Sequence, residues 1–179
     1  MSSSITVAHT VIPVAVGSLL AAHGAQKLFG LFGGGGIDGT AQFFSSVGIK
    51  PGRQAAIASG VAEFGGGAAL ALGLATSAGA AAVAANMGVA ATQHVPNGFF
   101  NTEGGFEFPA TLGVVAASYL VSGPGSVSLD AALGHVFNRP WMRVAAAAVA
   151  VPAALYLIIR QRRERAIVEP TGEGPGQDD

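Results

Sequence analysis

The sequence contains no cysteine and few charged or aromatic residues. Of its 179 residues, 11% are charged and 7% are aromatic. Without cysteine the chain cannot form disulfides, perform thiol redox chemistry, or bind iron–sulfur clusters or zinc through thiolates. A soluble domain usually carries about 25% charged residues, so this chain has too few to cover a surface in water. The net charge of −1 gives no indication of a nucleic-acid partner.

Most of the sequence consists instead of long apolar stretches. Half of the chain is hydrophobic, and the mean hydropathy is +0.51. A helix needs about 17–25 apolar residues to cross the hydrocarbon of a bilayer. Lipid offers no hydrogen bonds to the backbone, and the stretches lack the alternation of barrel strands, so they are predicted to be helices. The five stretches cover residues 8–29, 53–74, 77–94, 106–121 and 141–159.

These stretches predict an all-α fold, a transmembrane bundle of four core helices with a fifth C-terminal transmembrane helix. The core domain is expected over residues 1–131. A connector and the fifth helix, which ends in arginines, follow over residues 132–165. The remaining segment, 166–179, is acidic and rich in glycine and proline, and is predicted to be disordered.

The distribution of lysine and arginine predicts the orientation in the membrane. With five spans, seven of the nine basic residues fall on one side, and only Arg139 and Arg143 fall on the other. Cytoplasmic loops are enriched in lysine and arginine. We therefore expect a multi-pass protein of the cytoplasmic membrane with its N-terminus outside and its C-terminus in the cytoplasm.

Polar residues inside the apolar stretches are the candidates for function, because a charge at membrane depth costs at least ~2.5 kcal/mol. Glu63 lies near the middle of the second stretch, and His23 and Lys27 are one helical turn apart in the first. A proton relay or ligand contact is one interpretation, and structural hydrogen bonding between helices is the other. The candidate ligand and proton-site residues are His23, Lys27, Glu63, Asn86, His94 and Glu107.

No metal site is expected, and no catalytic residue can be assigned. His23 and His94 meet only the minimum condition for haem, two histidines on different helices, and nothing else in the sequence supports haem. Residues 34–39 match the glycine spacing of a dinucleotide-binding loop. That motif has meaning only between a strand and a helix, and here it follows a predicted transmembrane helix.

Four short motifs resemble those of the DoxX family, in the order in which that family carries them. Residues 23–30 read HGAQKLFG, similar to the first-helix signature of the family, and residues 63–67 read EFGGG, similar to its second-helix element. Residues 105–108 read GFEF and resemble the start of its fourth helix. Residues 123–130 read GPGSVSLD and resemble its closing motif. The fifth apolar stretch and its arginines depart from the family pattern.

The resemblance implies a four-helix bacterial membrane protein. Members are linked to quinone-associated oxidoreductase systems, including a thiosulfate:quinone oxidoreductase subunit, and to complexes that protect against oxidative or thiol stress. The family positions suited to a quinone site correspond here to His23, Lys27, Glu63 and Glu107.

Three hypotheses follow. The first is a quinone-associated subunit of a membrane oxidoreductase or oxidative-stress complex, in which Glu63 or His23 handles protons and a redox partner protein supplies electrons. The second is a non-catalytic assembly or scaffold subunit, and the third is a small proton-coupled transporter. A quinone is the cofactor that the first hypothesis implies. The expected partners are the lipid bilayer and a membrane complex, with a homo-oligomer as a further option.

Overall fold

The computed structural model describes residues 3–168, and every regular element in that part of the chain is helical. This confirms the predicted all-α class. Each of the five apolar stretches coincides with a long helix. Short 3₁₀ turns follow the first and fourth helices. The α-helices are α1 Ser3–Phe29, α2 Gly36–Ser46, α3 Gly52–Leu72, α4 Thr76–His94, α5 Glu107–Ser122, α6 Leu129–Ala132 and α7 Pro140–Val168.

Three of the described helices are long and apolar enough to cross a membrane: α1, α3 and α7. The helix α5 is apolar but has only 16 residues. The helix α4 has 19 residues and is rich in alanine, which lowers its hydropathy without exposing charge. Together these helices make an integral membrane protein.

The helices α1 and α3 approach closely because glycines face each other across their contact. A Cβ atom on Gly67 would lie 2.6 Å from the backbone nitrogen of Ala21, and one on Gly24 would collide with the backbone of Phe64. Small residues allow such contact in lipid, where no hydrophobic effect drives helices together. Gly65, Ala69 and Gly73 repeat every four residues in the sequence, and such a stripe of small residues is typical of a packing face. In the structure a Cβ on Gly65 would meet only open space.

The helix α4 occupies the centre and packs against α3, α5 and α7. Hydrogen bonds near its two ends fix α7 parallel to it: Ser77 Oγ bonds to Asn138 at one end, and Gln93 Nε2 donates to Gln161 Oε1 over 2.5 Å at the other. The buried apolar core lies between α1, α3, α4 and α5. It consists of Leu20, Leu70, Ala80, Val83, Met87, Leu112, Ala116 and Tyr119.

Two elements differ from the sequence-based expectation. The helix α2 was not predicted, since its 11 residues include two glycines and follow a run of four glycines. The helix α7 continues to Val168, so residues 166–168 belong to it. Residues 169–179, the rest of the predicted disordered tail, lie outside the described part of the chain. The division into domains at residue 131 stays a prediction.

Candidate functional site

A buried ion pair joins α1 to the middle of α3. Lys27 Nζ lies 2.5 Å from Glu63 Oε1, and Glu63 is only 3% exposed. Lys27 also donates to Ser59 Oγ over 3.0 Å, and Asn86 Nδ2 of α4 donates to the same Glu63 oxygen over 3.0 Å. Three helices therefore contribute one side chain or more to a single polar cluster, which we call the Lys27–Glu63 cluster: Lys27, Ser59, Glu63 and Asn86.

The local sequence explains why these side chains meet. Ser59 and Glu63 are four residues apart, so they share one face of α3. Gly60 lies between them, and the site where its Cβ would stand is filled by the side chain of Leu28, 2.6 Å away. This lets the last turn of α1 lie directly on α3. Lys27, the neighbour of Leu28 in that turn, then reaches both Ser59 and Glu63 without leaving the helix.

The cluster has spare hydrogen-bonding capacity on both sides of the ion pair. An ammonium group has three donors, and two of those on Lys27 are used by Ser59 and Glu63. Lys27 is 26% exposed, so its third N–H is accessible. Glu63 Oε2 is buried and has no hydrogen-bond partner among the described residues. The cluster can therefore donate a further hydrogen bond from Lys27 and accept one at Glu63 Oε2.

The Lys27–Glu63 cluster forms part of the wall of a large cleft. The cleft has a volume of about 1200 Å³ and lies between α2, α3, α4 and α7. Lys27, Ser59 and Asn86 line it, and Glu63 sits behind them. Its remaining surface is mostly apolar: alanines of α3, α4 and α7 together with the α2 residues Phe43 and Phe44. A ligand with a polar head and an apolar body matches this lining.

One face of α4 turns towards this cleft. A stripe of α4 residues four positions apart lines the cleft: Ala78, Ala82, Asn86, Ala90 and His94. Small side chains leave space here, where the cleft opens between α4 and the two helices α3 and α7 that pack against it. The stripe therefore contributes to the hollow of the cleft as well as to the contact with α7.

The remaining predicted site residues lie elsewhere or make other bonds. His23 is half-buried, and its ring packs edge-on against Phe108 with centroids 6.0 Å apart. His94 lines the cleft, and its Nδ1 lies 2.7 Å from the carbonyl oxygen of Gly104. Glu107 Oε2 accepts a hydrogen bond from the backbone N–H of Asn101 over 3.1 Å. Both His94 and Glu107 thus hold the loop between α4 and α5.

The structure therefore brings Lys27, Glu63 and Asn86 into contact, and places His94 at the edge of the same cleft. It does not bring His23 or Glu107 to the cluster. Sequence reasoning missed Ser59, although its spacing of one turn before Glu63 was a usable signal. It also missed the α7 residue Gln161, which is buried against Gln93 and lines the far end of the cleft.

Within residues 3–168, no three histidine, aspartate or glutamate side chains come close enough together to hold a metal ion. The Lys27–Glu63 cluster has a single carboxylate, and an ammonium group already lies against it.

Comparison with known proteins gives one match. Residues 9–96 match the DoxX family model. The matched segment runs from α1 to the turn after α4, so it contains the whole Lys27–Glu63 cluster and His94 but neither Glu107 nor the motif at 123–130. No curated protein matches the chain. No solved structure matches it either.

Proposed function

Because the chain is a member of the DoxX family and an integral membrane protein, we propose that it binds a quinone in the α2–α3–α4–α7 cleft as a subunit of a membrane oxidoreductase or oxidative-stress complex. The observation that carries the proposal is a buried, hydrogen-bonded ion pair in the wall of a large apolar cleft. A quinone needs donors for its carbonyl oxygens and an apolar groove for its isoprenoid tail. The cluster offers the donors, and the alanine-rich walls offer the groove.

Each residue of the cluster has a distinct role in this proposal. The free N–H of Lys27 donates to a quinone carbonyl oxygen, and Ser59 orients the ammonium group. Glu63 balances the charge of Lys27 and would relay a proton back to it. Asn86 donates to Glu63 and holds the carboxylate in place.

Reduction of the quinone to the quinol takes up two electrons and two protons. We assign the electrons to a redox partner protein, since the chain has no cysteine and no recognisable haem or flavin motif. One proton would pass from the Lys27 ammonium group to the carbonyl oxygen, and water would return one to Lys27 by way of the Glu63 carboxylate. The second is taken up from the aqueous side of the cleft, where His94 and Lys50 lie.

The proposed location is the cytoplasmic membrane, with the C-terminus of α7 on the cytoplasmic side. The C-terminal ends of α1, α4 and α7 and the N-terminal end of α3 lie at the same end of the bundle, as the Lys27–Ser59 and Gln93–Gln161 contacts require. This end carries Lys50, Arg53, Arg160, Arg162 and Arg163. The positive-inside rule supports that orientation.

The test is to purify the protein gently from its native membrane, identify bound small molecules by mass spectrometry, and then titrate the protein with a short-chain quinone. We expect a quinone in the wild type and a roughly 10–100-fold weaker Kd in Lys27→Met, because a hydrogen bond from a charged donor contributes ~1.5–3 kcal/mol. Glu63→Gln should also weaken binding. Glu103→Gln is the matched control, since Glu103 is an exposed loop residue.

A folded wild-type protein that neither retains nor binds quinone would overturn the proposal. The non-catalytic assembly subunit would then be favoured, with the cluster as a structural link between helices. Proton flux in proteoliposomes that is abolished by Glu63→Gln, without quinone binding, would instead favour a proton-coupled transporter.

A further inference from the structure

At the end of the bundle opposite to the arginines, a small, partly open cavity lies between α1, α3, α4 and α5. Its volume is about 20 Å³. Its wall includes His9 of α1, Thr76 at the start of α4, Tyr119 of α5, and the loop residues Pro124 and Gly125. A cavity of at least ~10–15 Å³ can hold one water molecule if the wall supplies two to four polar partners. The volume is therefore sufficient for one water molecule.

Two polar atoms of this wall have no hydrogen-bond partner among the described residues. They are Thr76 Oγ1 and His9 Nδ1, and both atoms are buried. The residue Thr76 is only 1% exposed. A buried polar atom without a hydrogen bond costs ~1–3 kcal/mol of stability. Two such atoms beside one cavity therefore destabilise the fold unless a bound molecule bonds to both.

The surroundings hold these two atoms in place. The His9 ring packs edge-on against the Tyr119 ring, with centroids 5.8 Å apart. The loop closes over His9, since a Cβ on Gly125 would lie 3.1 Å from the Cβ of His9. The loop and the Tyr119 ring therefore both restrict the His9 side chain.

We propose that this cavity is a binding site for a single water molecule, which bridges His9 Nδ1 and Thr76 Oγ1. The bridge gives both atoms a partner. It also links α1 to the N-terminal end of α4, although α1 packs mainly against α3. The site lies at the other end of the bundle from the quinone cleft and does not depend on the proposed function.

The bridging water predicts whether the isosteric substitution Thr76→Val lowers or raises Tm. Thr76→Val keeps the shape of the side chain and removes the hydroxyl. With the water present, this change leaves His9 and the water each short of a partner, and Tm should fall by about 2–4 °C. Without the water, the same change replaces an unpartnered hydroxyl with a methyl group, and Tm should hold or rise. Thr111→Val, at an exposed position on α5, is the control and should change Tm by less.

A high-resolution map of the wild-type protein gives the second readout. We expect a density peak in the cavity within hydrogen-bonding distance of both His9 Nδ1 and Thr76 Oγ1. A map without that peak, or a Tm that holds or rises in Thr76→Val, overturns the proposal. The map decides the question alone if the variant fails to fold.

Discussion

At the scale of single residues, the main feature is a carboxylate that is almost fully buried in a membrane protein. Glu63 has a cationic partner in Lys27 and a neutral donor in Asn86, so its charge is compensated. Removing one partner of a buried ion pair is usually far more costly than replacing both, because the remaining charge is left without compensation. The two residues should therefore behave as a unit.

We predict that Lys27→Met lowers the free energy of unfolding by about 3 kcal/mol, since it leaves Glu63 buried with only Asn86 as a donor. Glu63→Gln should cost less, because Lys27 is partly exposed and can be solvated. The double variant should cost clearly less than the sum of the two single changes. Unfolding of all three variants in the same detergent measures this coupling. Additive costs would show that the pair does not act as a unit.

Much of this cluster could be predicted from the sequence, because polar groups stand out in apolar helices. Glu63, Lys27 and Asn86 were identified on that ground. His94 and Glu107 lie at helix ends, and there the backbone of the α4–α5 loop provides partners for both, through Gly104 and Asn101. Such loop geometry is not readable from spacing. A role of the six predicted residues in ligand binding or proton transfer stays a prediction.

At the scale of helices, the contact between α1 and α3 depends on glycines at positions that the linear pattern did not reveal. Both Gly24 and Gly65 are helical glycines in these two elements, and a repeat of small residues marked Gly65. In the structure Gly24 contacts the backbone of Phe64 on α3, whereas a Cβ on Gly65 would meet only open space. The number of small residues was thus informative, but the face that they use was not.

Alanine substitutions at Gly24 and Gly65 form a matched pair that tests this contact. Gly24→Ala should destabilise the protein by about 1–3 kcal/mol, because the new Cβ would force α1 away from the backbone of Phe64. Gly65→Ala should be neutral or stabilising by up to ~1 kcal/mol, because alanine loses less backbone entropy in a helix. Thermal unfolding of both variants measures the difference. Equal effects would mean that α1 and α3 do not meet at Gly24.

The helix α2 shows the limit of prediction from hydropathy. It is short, follows a glycine run, and exposes part of its length, so it lacks the signal of a spanning segment. Its apolar side still matters for the site, since Phe43, Phe44 and Val47 line the cleft. A search for spans therefore identifies the walls of the cleft formed by α3, α4 and α7 but not the part formed by α2.

At the scale of the whole molecule, basic residues collect at one end of the bundle. We predict that a reporter fused to the C-terminus will be active if it requires the cytoplasm and inactive if it requires export. A reporter placed in the 123–128 loop should give the reverse pattern, because that loop lies at the other end. The same pattern for both fusions would contradict the topology with five transmembrane spans.

The cleft between α3 and α7 also determines how a ligand would be encountered. Its apolar walls belong to helices that face lipid, so an apolar ligand would arrive sideways from the bilayer after partitioning into it. Occupancy would then follow the mole fraction of the ligand in the membrane, and the amount added to the buffer would be a poor guide. Dilution with extra lipid, at constant protein and total ligand, should therefore empty the cleft.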